Sequence, residues 1–350
     1  MSLLQIKKTE TDWDLASLGE VMLRFDPGAE RLHNTRNFRV WEGGGEYNVA
    51  RGLSKVFRKN TTIITALVKN SLGDLAEDLI MQGGVDVSNI LWREDSAEVR
   101  NGLYFIERGF GLMSPKSCFD RENTAISQAQ AGDFDWRNIF KEKGARWLHT
   151  GGVFTGLSAT TPEVAKSAMK AARENGTIVS YDLNYRDSLW KNRGGKNEAN
   201  KLNKKLLPFA DVVFGVPEYA SSIVDFDKKG FRAAARKLRD DFPNLKYIAT
   251  TFREAKSAGL HNLTAACFSD GEVFKAPRFP DVQVFDRVGS GDSFASGFIY
   301  GMLENKGAQY AVECGTAHSC LAMTTPGDNS MARLDEIEKL MSGGDSNVVR

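Results

Sequence analysis

FDRVGSGDSFASGFIYG, residues 285 to 301, sets Asp286 and Asp292 around a run of small residues and then turns strongly apolar. Upstream, VQVFDRV reads as a strand. Downstream, SFASGFIYGML reads as a helix with Phe294, Phe298 and Met302 four residues apart on one face. A strand, a glycine turn and a helix in that order aim the unpaired N–H groups of the first helical turn at one spot, and the helix dipole favours an anion there. Gly289 and Gly291 carry no side chain, so a phosphate can approach the backbone. Asp292 would repel that phosphate unless it had another task, and accepting a proton from an attacking hydroxyl is such a task. Read alone, the turn is equally an N-cap in which Ser290 or Asp292 bonds the helix start.

The rest of the chain supplies the context. WDLASLGEVMLRF (13–25) reads as a strand, NVARGLSKVF (48–57) as a helix, TTIITALVK (61–69) as a strand and GDLAEDLIMQGG as a helix. ARWLHTGGVF (145–154) is strand-like, and TPEVAKSAMKAARENG is a helix that starts at Thr-Pro and stops at Gly176. TIVSYDLN (177–184), DVVFGV (211–216) and LKYIATTF (245–252) follow as strands between charged helical patterns. This alternation predicts a three-layer α/β/α sandwich with a parallel central sheet. Residues 24–42 and 98–124 break the rhythm with short, turn-rich antiparallel patterns, and predict one small β lid inserted in two pieces over the C-terminal edge of the sheet. The expected organisation is a single domain over 15–340, with tails at 1–14 and 341–350.

Composition narrows the function. The 350 residues are 41% hydrophobic and 26% charged, with a net charge of +1, which is ordinary for a globular chain and leaves no basic stripe for nucleic acid. No apolar run approaches the roughly 20 residues that cross a bilayer, and the polar start does not resemble a secretory signal. Cys118, Cys267, Cys314 and Cys320 are scattered, as are His33, His149, His261 and His318, with no metal-ligand spacing among them. These features predict reduced thiols and a cytoplasmic protein.

The turn is not a Walker loop, which needs G-x-x-x-x-G-K-[ST]. It resembles the D-x-x-G-[AS]-G-D signature of the ribokinase-like (PfkB) carbohydrate kinases, here Asp286 to Asp292. A second signature of that family, G-G-x-x-x-N-x-A, is matched by Gly43-Gly44-Gly45-Glu46-Tyr47-Asn48-Val49-Ala50. GEVMLRF (19–25), RNGLYF (100–105), FDR (119–121) and YDLNYRDSLW (181–190) are similar to segments of the 2-keto-3-deoxygluconate kinase branch, with Arg24 standing where many relatives carry an aspartate.

The resemblance implies an ATP-dependent kinase acting on the primary hydroxyl of a sugar or sugar acid. Asp292 would be the base, and the N–H groups of Gly289, Ser290 and Gly291 the cradle for the transferred group. Gly43, Gly44, Asn48, Tyr104, Arg121 and Arg186 would meet the sugar, the two arginines as a fork for a carboxylate. Thr251, Arg253, Gly259 and Gly291 would meet the nucleotide phosphates, and Ala317, Cys320 and Leu321 the adenine. Mg2+ would ride on the phosphates, with Glu218 reaching it through water; a monovalent cation is compatible with the family. The chain departs from the family's N-x-x-E at Gly215 and from its Tyr-x-Arg at Phe119. A kinase of a neutral sugar, such as fructose or ribose, and a non-catalytic ligand-binding regulator stay open as alternatives. The lid predicts a homo-oligomer, since an exposed small sheet carrying Leu103 and Phe105 invites pairing with a second copy.

Overall fold

The computed structural model describes residues 4–8, 10–217, 219 and 230–343. Its centre is a sheet with strand order β13-β12-β11-β10-β9-β8-β1-β4-β5. The parallel strands are β1 (Trp13–Leu18), β4 (Thr61–Val68), β5 (Ile90–Arg93), β8 (Ala145–Gly151), β9 (Ile178–Asp182), β10 (Val212–Phe214) and β11 (Tyr247–Ser257). Strands β12 (Leu260–Ser269), β13 (Glu272–Lys275) and β14 (Phe279–Gln283) extend one edge in antiparallel fashion. Successive side chains on a strand face opposite ways, and here both faces are apolar. Ile63 and Val212 join one core, Ile64 and Val213 the other.

Helices complete three layers. On one face lie Gly45–Lys55, Ser290–Leu303 and Gly307–Ala322, bringing Tyr47, Leu53, Phe294, Phe298 and Val312 into the first core. On the other lie Thr161–Glu174, Gly195–Leu206 and Gly230–Asp241, contributing Val164, Met169, Leu206, Phe231 and Leu238. The α/β/α expectation holds. The Phe294–Phe298–Met302 stripe is buried in the first core.

A second sheet has strand order β3-β2-β6-β7, where β2 is Met22–Asp26, β3 Arg39–Gly43, β6 Gly102–Glu107 and β7 Lys116–Asp120. It is mixed rather than wholly antiparallel, because β2 and β6, from the two separate excursions, run parallel. Residues 13–25 are thus not one strand. The chain leaves the central sheet after Leu18 and enters the small sheet at Met22. Glu20, at the switch, is buried and accepts hydrogen bonds from Arg121 and Thr124. Two other boundaries shift. β14 ends at Gln283, because Val284 turns its N–H to the Gly259 carbonyl. The 145–154 strand stops at Gly151, where a helical turn, Gly152–Thr155, begins. Within the segment expected as a tail, Leu4 is buried in the first core, and the Lys7 carbonyl accepts from Arg146 Nε.

Candidate active site

The C-terminal ends of β9, β10 and β11, the small sheet and the 286–292 turn enclose a cleft of about 760 Å³. Open α/β sheets place ligands at this end of their strands. Asp292 sits in the first turn of the Ser290–Leu303 helix and is buried at the cleft wall. Asn48, on the Gly45–Lys55 helix, donates from Nδ2 to Asp292 Oδ2 at 2.7 Å, and accepts from the Gly44 N–H at 3.3 Å. The two signatures meet here, one aiming the carboxylate of the other. Burial pushes Asp292 up to about 8; the Asn48 bond opposes this, Asp182 adds to it and Arg186 opposes it. A base whose pKa lies near the working pH is suited to accepting a proton in the transition state.

The turn before Asp292 is fixed sterically. Gly289 caps the helix at φ 77°, and a Cβ there would stand 1.7 Å from the Asp328 carbonyl oxygen. A Cβ on Gly291 would meet nothing within 4 Å, so the backbone there is open to the cleft. Gly44 lets the Glu20 carbonyl approach to 1.9 Å from where a Cβ would stand.

Asp286, the first acid of the turn, faces inward. Its Oδ1 accepts from the Val288 N–H, and its Oδ2 takes a bond from Arg24. Arg24 is fully buried and also donates to Asp328 at 2.6 Å and Asp26 at 3.1 Å. Burial works against its charge, but Asp328 and Asp286 overcome that and hold it firmly protonated. Tyr104, opposite Arg24 in the β2–β6 register, donates its hydroxyl to Asp328 at 2.5 Å. This network fastens the small sheet to the turn. The sequence does not show it, since Arg24 reaches Asp286 and Asp328 through contacts of high sequence separation and only Asp26 lies nearby.

Of the residues anticipated for the sugar, Gly44, Asn48, Tyr104, Arg121 and Arg186 line the cleft. Gly43 stands behind the Tyr104 hydroxyl rather than in the cleft, Asn48 holds Asp292, and the Tyr104 hydroxyl donates its hydrogen bond to Asp328. Arg121 is ion-paired with Glu20; Arg186 has no ion pair among the described residues. Phe119 stacks on Tyr104 with centroids 5.7 Å apart. Thr251 and Arg253 line the cleft, and Ala258 does so where Gly259 was anticipated.

Ala317, Cys320 and Leu321 do not line the cleft. Ala317 and Cys320 are buried, Ala317 in the first core and Cys320 against Leu263 and Met323, while Leu321 packs on the first core. An apolar helix face reads alike whether it packs a core or walls a pocket, which is why sequence could not separate the two. Glu218 lies outside the described residues.

Asp182, Asn184 and Arg287 line the cleft unanticipated. Asp182 is pushed up to about 6 by burial, opposed by the Asn184 N–H and Arg186. The signal was available, because Asp182 ends β9 on the side where ligands bind. Gly215, where the family carries asparagine, adopts φ 91°, which suits glycine. Among the described residues no three His, Cys, Asp or Glu side chains gather as a metal cage. Mg2+ does not need one, since it binds through one or two carboxylates together with phosphates and water. Asp182 is a carboxylate in the cleft able to fill that part.

The family model for pfkB family carbohydrate kinases matches residues 13–237 and 263–334. The chain belongs to that family. It is 26% identical to the 2-dehydro-3-deoxygalactonokinase of Haloferax volcanii, over 96% of this chain and 99% of that protein. It is 26% identical to a 5-dehydro-2-deoxygluconokinase of Clostridium perfringens, over 89% of this chain and 88% of that protein. Among solved structures, the 2-dehydro-3-deoxygluconokinase of Thermotoga maritima superposes with a TM-score of 0.86 at 34% identity, covering 94% of this chain and 99% of that one. The family expected from the two signatures therefore holds, and with it the ribokinase-like fold and the class of chemistry, transfer of a phosphoryl group to an alcohol.

Proposed function

We propose that this kinase transfers the γ-phosphoryl of ATP to the primary hydroxyl of 2-keto-3-deoxygluconate or a closely similar deoxy-keto sugar acid. The observation that carries this reading is Arg186, a guanidinium without an ion pair among the described residues, lining the same cleft as Asp292. A planar fork left free beside a base suits an acceptor that brings a carboxylate. The names of the relatives, all kinases of deoxy-keto sugar acids, point the same way.

In this mechanism Asp292 takes the hydroxyl proton as the oxygen attacks the γ-phosphorus, and the bond to the β-phosphate oxygen breaks to release ADP. The N–H groups at the start of the Ser290–Leu303 helix meet the charge that develops on the transferred group. Mg2+, carried by the phosphates, supplies charge neutralisation when bound. Asn48 orients the base, and the small sheet acts as a lid that excludes water, a competing nucleophile.

A second reading, a kinase of a neutral sugar, is favoured by one observation: Arg121 is already paired with Glu20, so only one of the two arginines is free. ADP release across a panel decides between them. The panel holds 2-keto-3-deoxygluconate, 2-keto-3-deoxygalactonate, 5-dehydro-2-deoxygluconate, fructose and ribose. Turnover of the acids at a kcat/KM at least tenfold above the neutral sugars supports the first reading, and the reverse order overturns it.

The lid also suggests assembly. Phe38, Phe110, Leu112, Met113 and Phe119 are exposed on it or on its connecting loops, more apolar surface than a small sheet leaves bare without reason. We infer a homodimer joined through the lids, which light scattering at micromolar concentration tests. Four free cysteines, three of them buried, suit the reducing cytoplasm.

A further inference from the structure

Arg24 has no exposed surface, and three carboxylates from three separate stretches surround it. Asp26 lies two residues on in β2 of the lid, Asp286 opens the glycine turn, and Asp328 follows the Gly307–Ala322 helix. Nη1 donates to Asp328 Oδ1 at 2.6 Å, and Nη2 donates to Asp26 Oδ2 at 3.1 Å and to Asp286 Oδ2. A buried guanidinium is costly unless its charge is paired, so these acids are what keep a cation at this place. Asp286 and Asp328 line the cleft, whereas Arg24 stands behind them.

Both acids pass the grip on to the turn. Asp286 Oδ1 accepts from the Val288 N–H at 3.2 Å, just before Gly289. The Asp328 carbonyl oxygen packs against Gly289, 1.7 Å from where a Cβ would stand, and the Gly289 carbonyl accepts from the Ser293 N–H at 2.8 Å. The lid is tied to the same groups. Besides Asp26, the Tyr104 hydroxyl reaches Asp328 Oδ2 at 2.5 Å, and Arg108 lies 3.5 Å from Asp26 and 4.4 Å over the Phe285 ring. Donors that meet a developing charge are effective because they are already in place. A displacement of about 1 Å, caused from outside the reacting groups, can cost about a hundredfold in rate.

We propose that Arg24 is a positioning residue for phosphoryl transfer, a built-in cation that clamps Asp286 to Asp328 and so holds the glycine turn in the shape that receives the transferred group. It touches neither the nucleotide nor the acceptor. The inference rests on the kinase chemistry of the family and not on which sugar is the acceptor. Its consequence is specific: Arg24→Ala leaves a vacancy walled by three carboxylates, which free guanidinium fits in charge and in hydrogen-bonding shape.

The test uses the full chain and the panel sugar that the wild type phosphorylates fastest, well below the thermal midpoint of every variant. Arg24→Ala should lower kcat about a hundredfold, while KM for ATP and for the sugar stay within about threefold. Low-millimolar guanidinium chloride, against sodium chloride of equal strength, should restore kcat about tenfold in Arg24→Ala and raise its thermal midpoint. It should do neither in the wild type nor in Arg24→Leu, whose side chain fills the vacancy. Arg24→Lys keeps the charge but loses the planar fork, and its kcat should fall between those of Arg24→Ala and the wild type. Absence of rescue in Arg24→Ala, or equal rescue in Arg24→Leu, overturns the built-in cation. A lowered midpoint with wild-type kcat would leave Arg24 a stabiliser of the fold only, and a raised KM with kcat intact would place it in substrate binding; either overturns the proposal. Should Arg24→Ala fail to fold, Arg24→Lys decides by the same split between kcat and KM. If the fastest sugar is neutral, the acceptor reading above falls and this test stands unchanged.

Discussion

Asn48 Nδ2 stands 2.7 Å from Asp292 Oδ2, so the asparagine of the N-terminal signature orients the aspartate of the C-terminal one. This bond favours the charged carboxylate, working against burial and Asp182. Asn48→Ala should therefore raise the apparent pKa of the rising limb of the pH–rate profile and lower kcat at pH 7 more than at pH 9. A loss of equal size at both pH values would mean that Asn48 serves the sugar and not the base.

Asp292→Asn keeps the shape and removes the basicity. General-base catalysis is worth about 10²–10⁴ in rate, so kcat should fall by that range while both KM values change little. In the wild type, kcat/KM should climb toward about pH 8, the value to which burial lifts this acid. Turnover near the wild-type rate in the variant would leave Asp292 as a helix cap only.

The same burial has a consequence for stability. Asp292 titrates near 8 when folded and 3.8 when unfolded. Between those values the folded chain keeps a proton that the unfolded chain has released, so stability falls as pH rises through the window and levels off above it. Asp292→Asn removes this dependence. Its thermal midpoint should exceed the wild type's by a margin that widens from pH 5 to pH 8, and a constant margin would contradict the burial argument.

Gly289 and Gly291, two residues apart, should respond in opposite ways. Gly289→Ala forces a side chain into φ 77° and against the Asp328 carbonyl; a cost of at least ~2 kcal/mol follows, with loss of activity. Gly291→Ala meets no atom within 4 Å and gains helix propensity, so the midpoint should hold or rise. Its methyl group would still stand where a phosphate approaches, raising KM for ATP or lowering kcat. Thermal unfolding paired with steady-state kinetics checks both, and intact kinetics in Gly291→Ala would place the phosphate elsewhere.

What was legible in the sequence was what is local. The glycine turn, Asp292 and the Phe294–Phe298–Met302 face all lie within one short stretch, and the strand–helix alternation repeats a simple pattern. Arg24 was not legible in its role, because Asp286 and Asp328, its partners, are 262 and 304 residues away. The sheet switch after Leu18 was hidden for a different reason, since both sides of it are apolar and extended. Tyr104 was found as a cleft residue, but its hydroxyl is committed to Asp328, and only geometry reveals a partner.

Arg186 carries the acceptor assignment, and it is the most exposed to test. With Arg121 tied to Glu20, Arg186 is the one of the two arginines anticipated for the acid that has no ion pair among the described residues, and the proposal gives it the carboxylate. A charge-assisted hydrogen bond contributes about 1.5–3 kcal/mol, so losing one should weaken binding by roughly one to two decades. Arg186→Leu should raise KM for 2-keto-3-deoxygluconate by that factor and spare KM for ATP. Any slow turnover of a neutral keto-sugar should suffer much less, because no carboxylate is left unpaired. Wild type and variant are compared side by side on the acid and on fructose. Equal losses on both would mean that Arg186 orients a hydroxyl or a phosphate, and the preference for an acid would lose the residue that supports it.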